Sequence, residues 1–266
     1  MVQRLFISAI RDKQIGQSTS KFTAYLPSSI HAKRAKILSI SVENTAYSFS
    51  VYDNILWYYV DNTLYFIAIP VDRYIPFVQD QDGNDENDIV NILNNLFQGN
   101  NHDITVSFND LNGRLTFKNN MSNVIRFVSS DEFEYDPSQF FNKANNRLGL
   151  VQNLIGKTIQ QNQSITSEGI LRLKRSSYFV SSSLSQFTSM LANQVLQYKS
   201  FPILARIPVS GDFGSVETYQ STAQEDMITL MGENISSVDV QILDEYMNEV
   251  NLHNGNVSIE LILFDE

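Results

Sequence analysis

The sequence contains no cysteine, and it holds only three histidines and one tryptophan among its 266 residues. The absence of cysteine excludes disulfide bridges and cysteine-ligated metals, and it favours synthesis in a reducing compartment. His31, His102 and His253 each lie in or beside a polar loop signal, and none has the H-x-x-x-H spacing of a metal site. The sequence therefore predicts neither a metal ion nor a cofactor.

Long apolar runs are also missing. The longest, Ile55 to Val60 and Leu64 to Val71, are far shorter than the roughly 20 residues that a membrane-spanning helix needs. The apolar run near the N-terminus holds about six residues before Arg11-Asp12, which is short for the apolar region of a signal peptide. We therefore expect no membrane span and a cytosolic place of synthesis.

Positive charge is scarce. The chain has 19 Lys and Arg against 29 Asp and Glu, a formal net charge of -10, which argues against general nucleic-acid binding because that requires clustered cations. One basic cluster, His31 to Lys36, is interpreted as a solvated loop leading into a strand, with a local contact as the alternative.

Catalytic motifs are lacking as well. There is no G-x-S-x-G, no G-x-G-x-x-G and no phosphate-binding loop. The acidic stretch Gln79 to Asp88 gives Asp80, Asp82 and Asn84 the 1, 3, 5 spacing of an EF-hand, but the glycine required at position six is absent. This stretch is interpreted as a solvated turn that leads into a helix, and the chain is not expected to be an enzyme.

A carboxylate-based hydrolase remains an alternative class. It would need two carboxyl groups at a defined separation, which sequence cannot establish across a sheet. The candidates are Asp131, Glu132, Glu134, Asp136, Asp244 and Glu245.

Short alternating stretches of apolar and polar residues dominate the chain. Ala35 to Glu43, Val238 to Ile242 and Val257 to Leu261 alternate with a period of two, which indicates strands with one buried face. Asn109 to Gly113 separates two such runs and predicts a hairpin. The fold class predicted is all-β with one or two short helices, built as an antiparallel sandwich.

Two stretches have helical periodicity. Asp88 to Phe97 repeats apolar residues at i, i+3, i+4 and i+7, with Asn87 or Asp88 as N-cap and Gly99 as the stop. Leu184 to Tyr198 carries a similar apolar stripe. Both are interpreted as core-packing helices.

The run Trp57-Tyr58-Tyr59 has two interpretations. It is either a set of core aromatics or a stacking platform for a glycan, and alternation would expose Tyr58 if its neighbours are buried. A lectin-like module predicts loss of sugar binding on Trp57→Ala.

The C-terminal third carries a pattern that resembles a known family. The segments are PILARIPVSGDFGSVETY (202 to 219) and ISSVDVQILDEYMNEVNLHNGNVSIELILF (235 to 264). They resemble the penton or minor capsid protein of virophages, Polinton-like viruses and related large DNA viruses. Matching positions are Leu204, Ile207, Pro208, Val209, Phe213, Gly214, Tyr219, Ile235, Val238, Val240, Leu243, Asp244, Glu245, Val250, Leu252, Gly255, Ile259 and Leu261.

This resemblance implies a jelly-roll fold and a non-enzymatic shell protein. The implied function is a pentameric penton at the five-fold vertices of an icosahedral capsid, with a minor capsid or cement protein between or beneath capsomers as the alternative. Its partners would be further copies of itself, the major capsid protein and other minor capsid proteins. It would be located in the virion and made in the host cytoplasm. We expect one domain over 1–266, with any insertion within about 122–200.

The same resemblance implies a role in assembly for one loop. In a jelly roll, Ile203 to Val209 would be a buried strand that Pro208 ends, and Gly211 and Gly214 would let the chain turn. Asp212 and Phe213 would then lie at a loop tip, where they are predicted as assembly contacts.

Overall fold

The computed structural model is all-β with two short helices in the part that it describes, and every pairing between its named strands is antiparallel. The predicted fold class is thereby confirmed. The structure describes residues 2–76, 88–129, 132–133, 140, 143–150, 157–184, 188–190, 200–221 and 227–265.

Fourteen strands and two helices follow one another along the described chain. They are β1 (Val2–Ser8), α1 (Ala9–Asp12), β2 (Lys21–Glu43), β3 (Ile55–Val60), β4 (Thr63–Ala68), α2 (Ile89–Gly99), β5 (Ile104–Asn109), β6 (Arg114–Asn119), β7 (Ile125–Phe127), β8 (Ser164–Thr166), β9 (Ser177–Ser182), β10 (Thr188–Met190), β11 (Ser200–Pro208), β12 (Val216–Gln220), β13 (Met227–Leu243) and β14 (Val257–Phe264).

The chain forms two compact units. Unit 1 consists of Met1–Ala46 and Arg175–Glu266, and unit 2 is the intervening segment Tyr47–Lys174. The expectation of one domain over 1–266, with an insertion within about 122–200, stays a prediction. These units divide the sequence at other positions.

Unit 1 contains a sheet of eight described strands. Its order is β1-β14-β2-β13-β9-β11-β10. Strand β12 pairs with residues 39–43 of β2, beyond the 21–36 stretch of β2 that pairs with β13. The long β2 and β13 shift register twice along their shared ladder, between Thr229 and Glu233 and between Ile235 and Ser237. Irregularities of this kind bend a strand.

One face of this sheet is the core of unit 1. Along β14 the buried residues Val257, Ile259, Leu261 and Leu263 alternate with partly exposed ones. Cross-strand partners share a face, so Leu261 meets Leu5 of β1 on the buried side. The alternation predicted for Val257 to Leu261 is confirmed.

Unit 2 contains two three-stranded sheets and helix α2. The sheet orders are β4-β3-β7 and β5-β6-β8. Its core is rich in aromatic rings, and Phe117 packs edge-on against Phe127 with centroids 4.7 Å apart. The predicted hairpin is confirmed as β5 and β6, joined by the turn after Asn109.

Helix α2 begins and ends where its sequence predicts. The Asp88 carboxylate accepts hydrogen bonds from the backbone N–H groups of Val90 at 2.7 Å and Asn91 at 3.3 Å, which makes it the N-cap. Leu93 and Phe97 are fully buried on the apolar stripe. Strong local signals at both ends therefore fixed this helix.

The second helix prediction, Leu184 to Tyr198, is wrong at three described residues. Residues 188–190, inside the predicted helix Leu184 to Tyr198, form strand β10 and pair with β11. The prediction is wrong there because pairing with a neighbouring strand overrides local periodicity. Residues 185–187 and 191–199 lie outside the described part of the chain.

Gly149 supports a testable prediction about unit 2. Its φ is +74°, and a Cβ added there would collide with the backbone carbonyl of Gly169. We expect Gly149→Ala to lower the free energy of unfolding by at least about 1–3 kcal/mol, since both the conformation and the space require glycine. Urea denaturation would measure it. Gly99→Ala is the control, because Gly99 ends helix α2 with open space around it; an equal loss in both variants would contradict the argument.

Candidate assembly loop

The predicted assembly contacts lie on the connection between β11 and β12. We call residues 209–215 the assembly loop. Pro208 is the last residue of β11, as expected of a residue that cannot donate to a ladder. Gly214 has a φ of +84°, which a side chain would disfavour, so the turn depends on glycine there.

Asp212 and Phe213 are both exposed at the tip of this loop. The Phe213 side chain is 39% exposed. The structure therefore confirms their position, while their role as assembly contacts stays a prediction.

The buried carboxylate of Glu217 holds one side of the loop. It accepts hydrogen bonds from the backbone N–H of Gly211 at 2.7 Å and of Ser210 at 3.1 Å. The hydroxyls of Ser215, at 2.8 Å, and Ser210, at 3.0 Å, donate to it as well. Burial alone would raise the pKa of Glu217, but these hydrogen bonds outweigh it and lower the pKa below its ordinary value of 4.5.

Asn44, just after β2, holds the other side. Its backbone N–H donates to Ser215 O at 2.8 Å, and its backbone carbonyl accepts from the N–H of Gly214 at 2.8 Å. Its side-chain Nδ2 donates to Asp212 O at 3.1 Å, and Tyr178 Oη donates to its Oδ1 at 2.5 Å. The buried side chains of Glu217 and Asn44 thus hydrogen-bond the loop from both sides.

We expect Glu217→Gln to loosen this loop and to lower the free energy of unfolding at neutral pH by about 1–3 kcal/mol, since an amide replaces a charged acceptor of four donors. A carboxylate with a depressed folded-state pKa stabilises above its unfolded pKa and loses that contribution as pH falls through its folded value. The difference between variant and wild type should therefore shrink below pH 4.5, the ordinary value for Glu. Denaturant unfolding across this range tests it, and a pH-independent difference would count against the charge-based explanation.

Comparison with known proteins gives a limited result. No protein-family model matches the sequence, and no curated protein matches it. Among solved structures, the chain is similar to the crystal structure of the selenomethionine-labelled mavirus penton protein, with 11% identity, 99% coverage of both chains and a TM-score of 0.48. It is also similar to a chain of the cryo-EM structure of the Sputnik virophage, with 11% identity, coverage of 99% and 98%, and a TM-score of 0.46.

The three histidines occupy unrelated local settings. His31 lies in β2, with Nδ1 3.3 Å from Asn234 Oδ1, and His253 lies in the turn before β14. His102 meets the Tyr58 hydroxyl at 2.7 Å, and burial lowers its pKa. Within the described residues, no three His, Asp or Glu side chains are grouped so that they could hold a metal ion.

Two of the carboxylates considered for hydrolysis, Glu132 and Asp244, form ion pairs within the chain. Glu132 forms an ion pair with Arg126 at 2.5 Å, and buried Asp244 forms one with Arg175 at 3.1 Å. Asp131, Glu134 and Asp136 lie outside the described residues. The ion pairs give Glu132 and Asp244 structural roles, while Glu245 lies in the turn after β13 with one buried carboxylate oxygen that accepts no hydrogen bond from the described residues.

The aromatic run of β3 is part of the core of unit 2. Trp57 is 5% exposed and Tyr58 is fully buried, while Tyr59 is partly exposed, so strict alternation of buried and exposed residues does not hold along β3. The reason is that β3 packs on both of its faces. The core interpretation of this run is the one that the burial supports.

The basic cluster His31 to Lys36 lies within strand β2, so its interpretation as a loop is wrong. Residues 79–87 of the acidic stretch are outside the described part of the chain. No described helix is both long enough and apolar enough to cross a membrane.

Proposed function

We propose that this chain is a non-enzymatic structural protein of a virion, and specifically a pentameric penton at the five-fold vertices of an icosahedral capsid. Its partners are further copies of itself, the major capsid protein and other minor capsid proteins. It is made in the host cytoplasm and acts in the capsid. The observation that carries the proposal is the assembly loop, an exposed loop held by hydrogen bonds inside the segment with the capsid-like sequence pattern.

The structural roles of the pattern positions support this proposal. Ile207, Val240, Ile259 and Leu261 are core residues of unit 1, Pro208 ends β11, and Gly214 supplies the positive φ of the turn. A chance likeness in a β-rich sequence would match alternating apolar positions, but it would not be expected to match a strand-ending proline and a turn glycine as well.

The design of the loop fits an assembly role. Its interior is satisfied by Glu217 and Asn44, so ordering it on contact costs little conformational entropy. Its tip offers an aromatic ring and a carboxylate, a combination suited to a protein neighbour because aromatic side chains are enriched in interfaces.

The copy number of the chain in purified particles tests the proposal. Quantitative mass spectrometry against the major capsid protein should give about 60 copies, since five chains occupy each five-fold vertex. Several hundred copies would instead indicate a minor capsid or cement protein between or beneath capsomers. Absence from particles would overturn the capsid function altogether.

A second test addresses the loop. The double variant Asp212→Ala with Phe213→Ala should fold with the stability of the wild type, because both side chains are exposed. Its particle or pentamer yield should fall at least about tenfold, as expected when an aromatic interface residue is removed. Unaltered yield would show that this loop is not an assembly contact.

A further inference from the structure

Strand β4 lies at the edge of its sheet in unit 2. In the order β4-β3-β7, the only described strand that pairs with β4 is β3. Phe66 of β4 is the cross-strand partner of Trp57, and the Trp57 carbonyl oxygen accepts a hydrogen bond from the N–H of Val128 on the β7 side. Opposed residues of an antiparallel pair exchange both hydrogen bonds or neither. The backbone N–H and C=O of Phe66 therefore point away from β3, towards the open edge.

The same alternation gives this edge three residues with outward backbone groups. Ile69 donates its N–H to Asn54 O at 2.8 Å, which makes Ile69 an inward position. Every second residue is inward in an antiparallel ladder, so Ala68, Phe66 and Leu64 are the outward positions. Among the described residues, none bonds to their outward N–H and C=O groups. An edge of this kind is a template for a further strand.

Two other sheet edges are closed by side chains. At the edge of β1, Arg11 Nη2 donates to Phe6 O at 2.6 Å. At the edge of β5, Asn94 of α2 donates to Val106 O at 3.1 Å and accepts from the Val106 N–H at 2.7 Å, as a neighbouring strand would. Natural proteins block edges to prevent unwanted pairing. The edge of β4 has no such block among the described residues, so it is available for pairing.

A groove of about 590 Å³ lies along the open edge. It is lined by residues 64–68 of β4 and by Asn95, Leu96, Gly99 and Asn100 of α2. Its volume falls within the range of roughly 300–1,000 Å³ that is usual for ligand sites. A Cβ added at Gly99 would meet no atom within 4 Å, so the space beside the helix is open. The groove therefore has room for an extended segment beside β4.

The groove is uncharged, although the chain as a whole is acidic. None of its lining residues is Asp, Glu, Lys or Arg, whereas the formal net charge is -10. A charged side chain that entered the groove would lose water without gaining an oppositely charged partner, which costs free energy. Phe66 and Tyr65 are 52% and 38% exposed, and they lie on opposite faces of β4 because they are adjacent in a strand. The groove thus favours an uncharged segment with apolar side chains.

The occupant must also be a lone segment. Helix α2 lines the groove next to β4, so a strand that already belongs to another sheet would bring its own neighbour against the helix. The fourteen described strands of this chain are all paired within its own sheets. These constraints favour another polypeptide over a second copy of this chain.

We infer that the open edge of β4 binds an extended, uncharged segment of another protein, which joins the sheet as a fourth strand. The outward N–H and C=O groups of Leu64, Phe66 and Ala68 bond to the main chain of this segment. Main-chain hydrogen bonds give affinity in this mode of binding, and the side-chain pockets give specificity. The inference goes beyond the proposed function and does not depend on it, because it concerns unit 2 alone.

A phage-displayed library of random nine-residue peptides provides the probe. The library is selected on the purified wild-type protein, and the enriched sequences are synthesised and their affinity is measured by fluorescence anisotropy. We expect the enriched sequences to be uncharged and to contain apolar residues on both faces of an extended chain. Enrichment of charged sequences, or no enrichment at all, would overturn the inference.

Ala68→Pro tests whether the selected peptides bind at this edge. Proline removes the outward N–H of residue 68 and should be tolerated, because that N–H forms no bond to β3. Peptide affinity should fall at least about tenfold, since a hydrogen bond is lost and the ring occupies space at the edge. Ala68→Ser is the matched control, because it keeps the N–H and should bind as the wild type does. Unchanged affinity in a folded Ala68→Pro variant, checked by circular dichroism, would contradict binding at β4.

Amide hydrogen exchange in the wild-type protein gives a measurement that needs no variant. Without peptide, the outward amides of Leu64, Phe66 and Ala68 should exchange rapidly, whereas the inward amides of Tyr65 and Ile67 are protected by β3. The selected peptide should slow exchange of the outward amides at least about tenfold and leave the inward amides almost unchanged. Outward amides that the peptide leaves unprotected would overturn the inference. Protection that instead rises with protein concentration in the absence of peptide would identify a second copy as the occupant, and this too would overturn it.

Discussion

Arg175→Met is expected to lower the free energy of unfolding by about 3–5 kcal/mol, the usual cost of removing one partner from a buried ion pair. The guanidinium Nη1 lies 3.1 Å from Asp244 Oδ2, and the two side chains are 4% and 3% exposed. Methionine has a similar length but no charge, so the variant would leave the Asp244 carboxylate buried without its cation. Urea denaturation followed by far-UV circular dichroism would measure the loss.

The cost should spread beyond the ion pair, because Asp244 also organises the turn after β13. Its Oδ1 accepts hydrogen bonds from the backbone N–H groups of Tyr246 at 2.8 Å and Asn248 at 2.9 Å. An Asp244 side chain that moves towards water to escape burial would give up these bonds. Nearby Val250 N–H donates to Ile242 O, so the end of β13 would be affected.

Arg4→Met is the matched control in the same unit. Arg4 also pairs with a carboxylate, that of Glu260, but its side chain is 68% exposed. Exposed ion pairs contribute about 0–1 kcal/mol, so this variant should unfold almost as the wild type does. An equal loss in both variants would show that burial does not determine the strength of the Arg175 pair.

Much of the fold could be predicted because its signals are local. The alternation in Val257 to Leu261 depends on the side-chain period of a strand, and the extent of α2 depends on Asp88 and Gly99 at its ends. The helix prediction that is wrong at 188–190 failed because the decisive signal there is not local. There the strand is defined by its pairing with β11, information that a local apolar stripe does not contain.

The candidate loop was only partly predictable for the same reason. Pro208, Gly214 and the exposed pair Asp212-Phe213 follow from residue chemistry within a short stretch. The groups that hold the loop do not, because Asn44 reaches Asp212 across 168 positions of sequence. Asp244 shows the same limit: as a carboxylate it was a candidate for catalysis, and only its distant partner Arg175 reveals its structural role.

Strand β3 shows how an assumption about faces can fail. Strict alternation presumes one buried and one exposed face, but Ile55, Leu56, Trp57 and Tyr58 are all buried. Such a continuous run is typical of a strand covered on both sides. On the neighbouring β4, Phe66 is 52% exposed.

We expect Trp57→Ala to lower the free energy of unfolding of unit 2 by about 3–5 kcal/mol, the usual cost of removing a large aromatic ring from a core. The indole packs edge-on against Phe140 with centroids 5.5 Å apart and lies 5.2 Å from Phe66. Its removal would leave a cavity between these rings that the sheet β4-β3-β7 cannot easily close. Denaturant unfolding followed by circular dichroism gives the loss, since the variant lacks the only tryptophan.

Tyr52→Ala provides the comparison, because this ring belongs to the same aromatic-rich segment but is 46% exposed. Its removal should change the free energy of unfolding by no more than about 0.5 kcal/mol. The pair of variants also separates the two interpretations of the aromatic run. If Trp57 is a core residue, Trp57→Ala lowers the stability and the wild type shows no specific sugar binding. If Trp57 is part of a glycan platform, the variant loses sugar binding and keeps its stability. The second outcome for Trp57→Ala would revive the lectin interpretation, and the burial of Trp57 is the reason to expect the first.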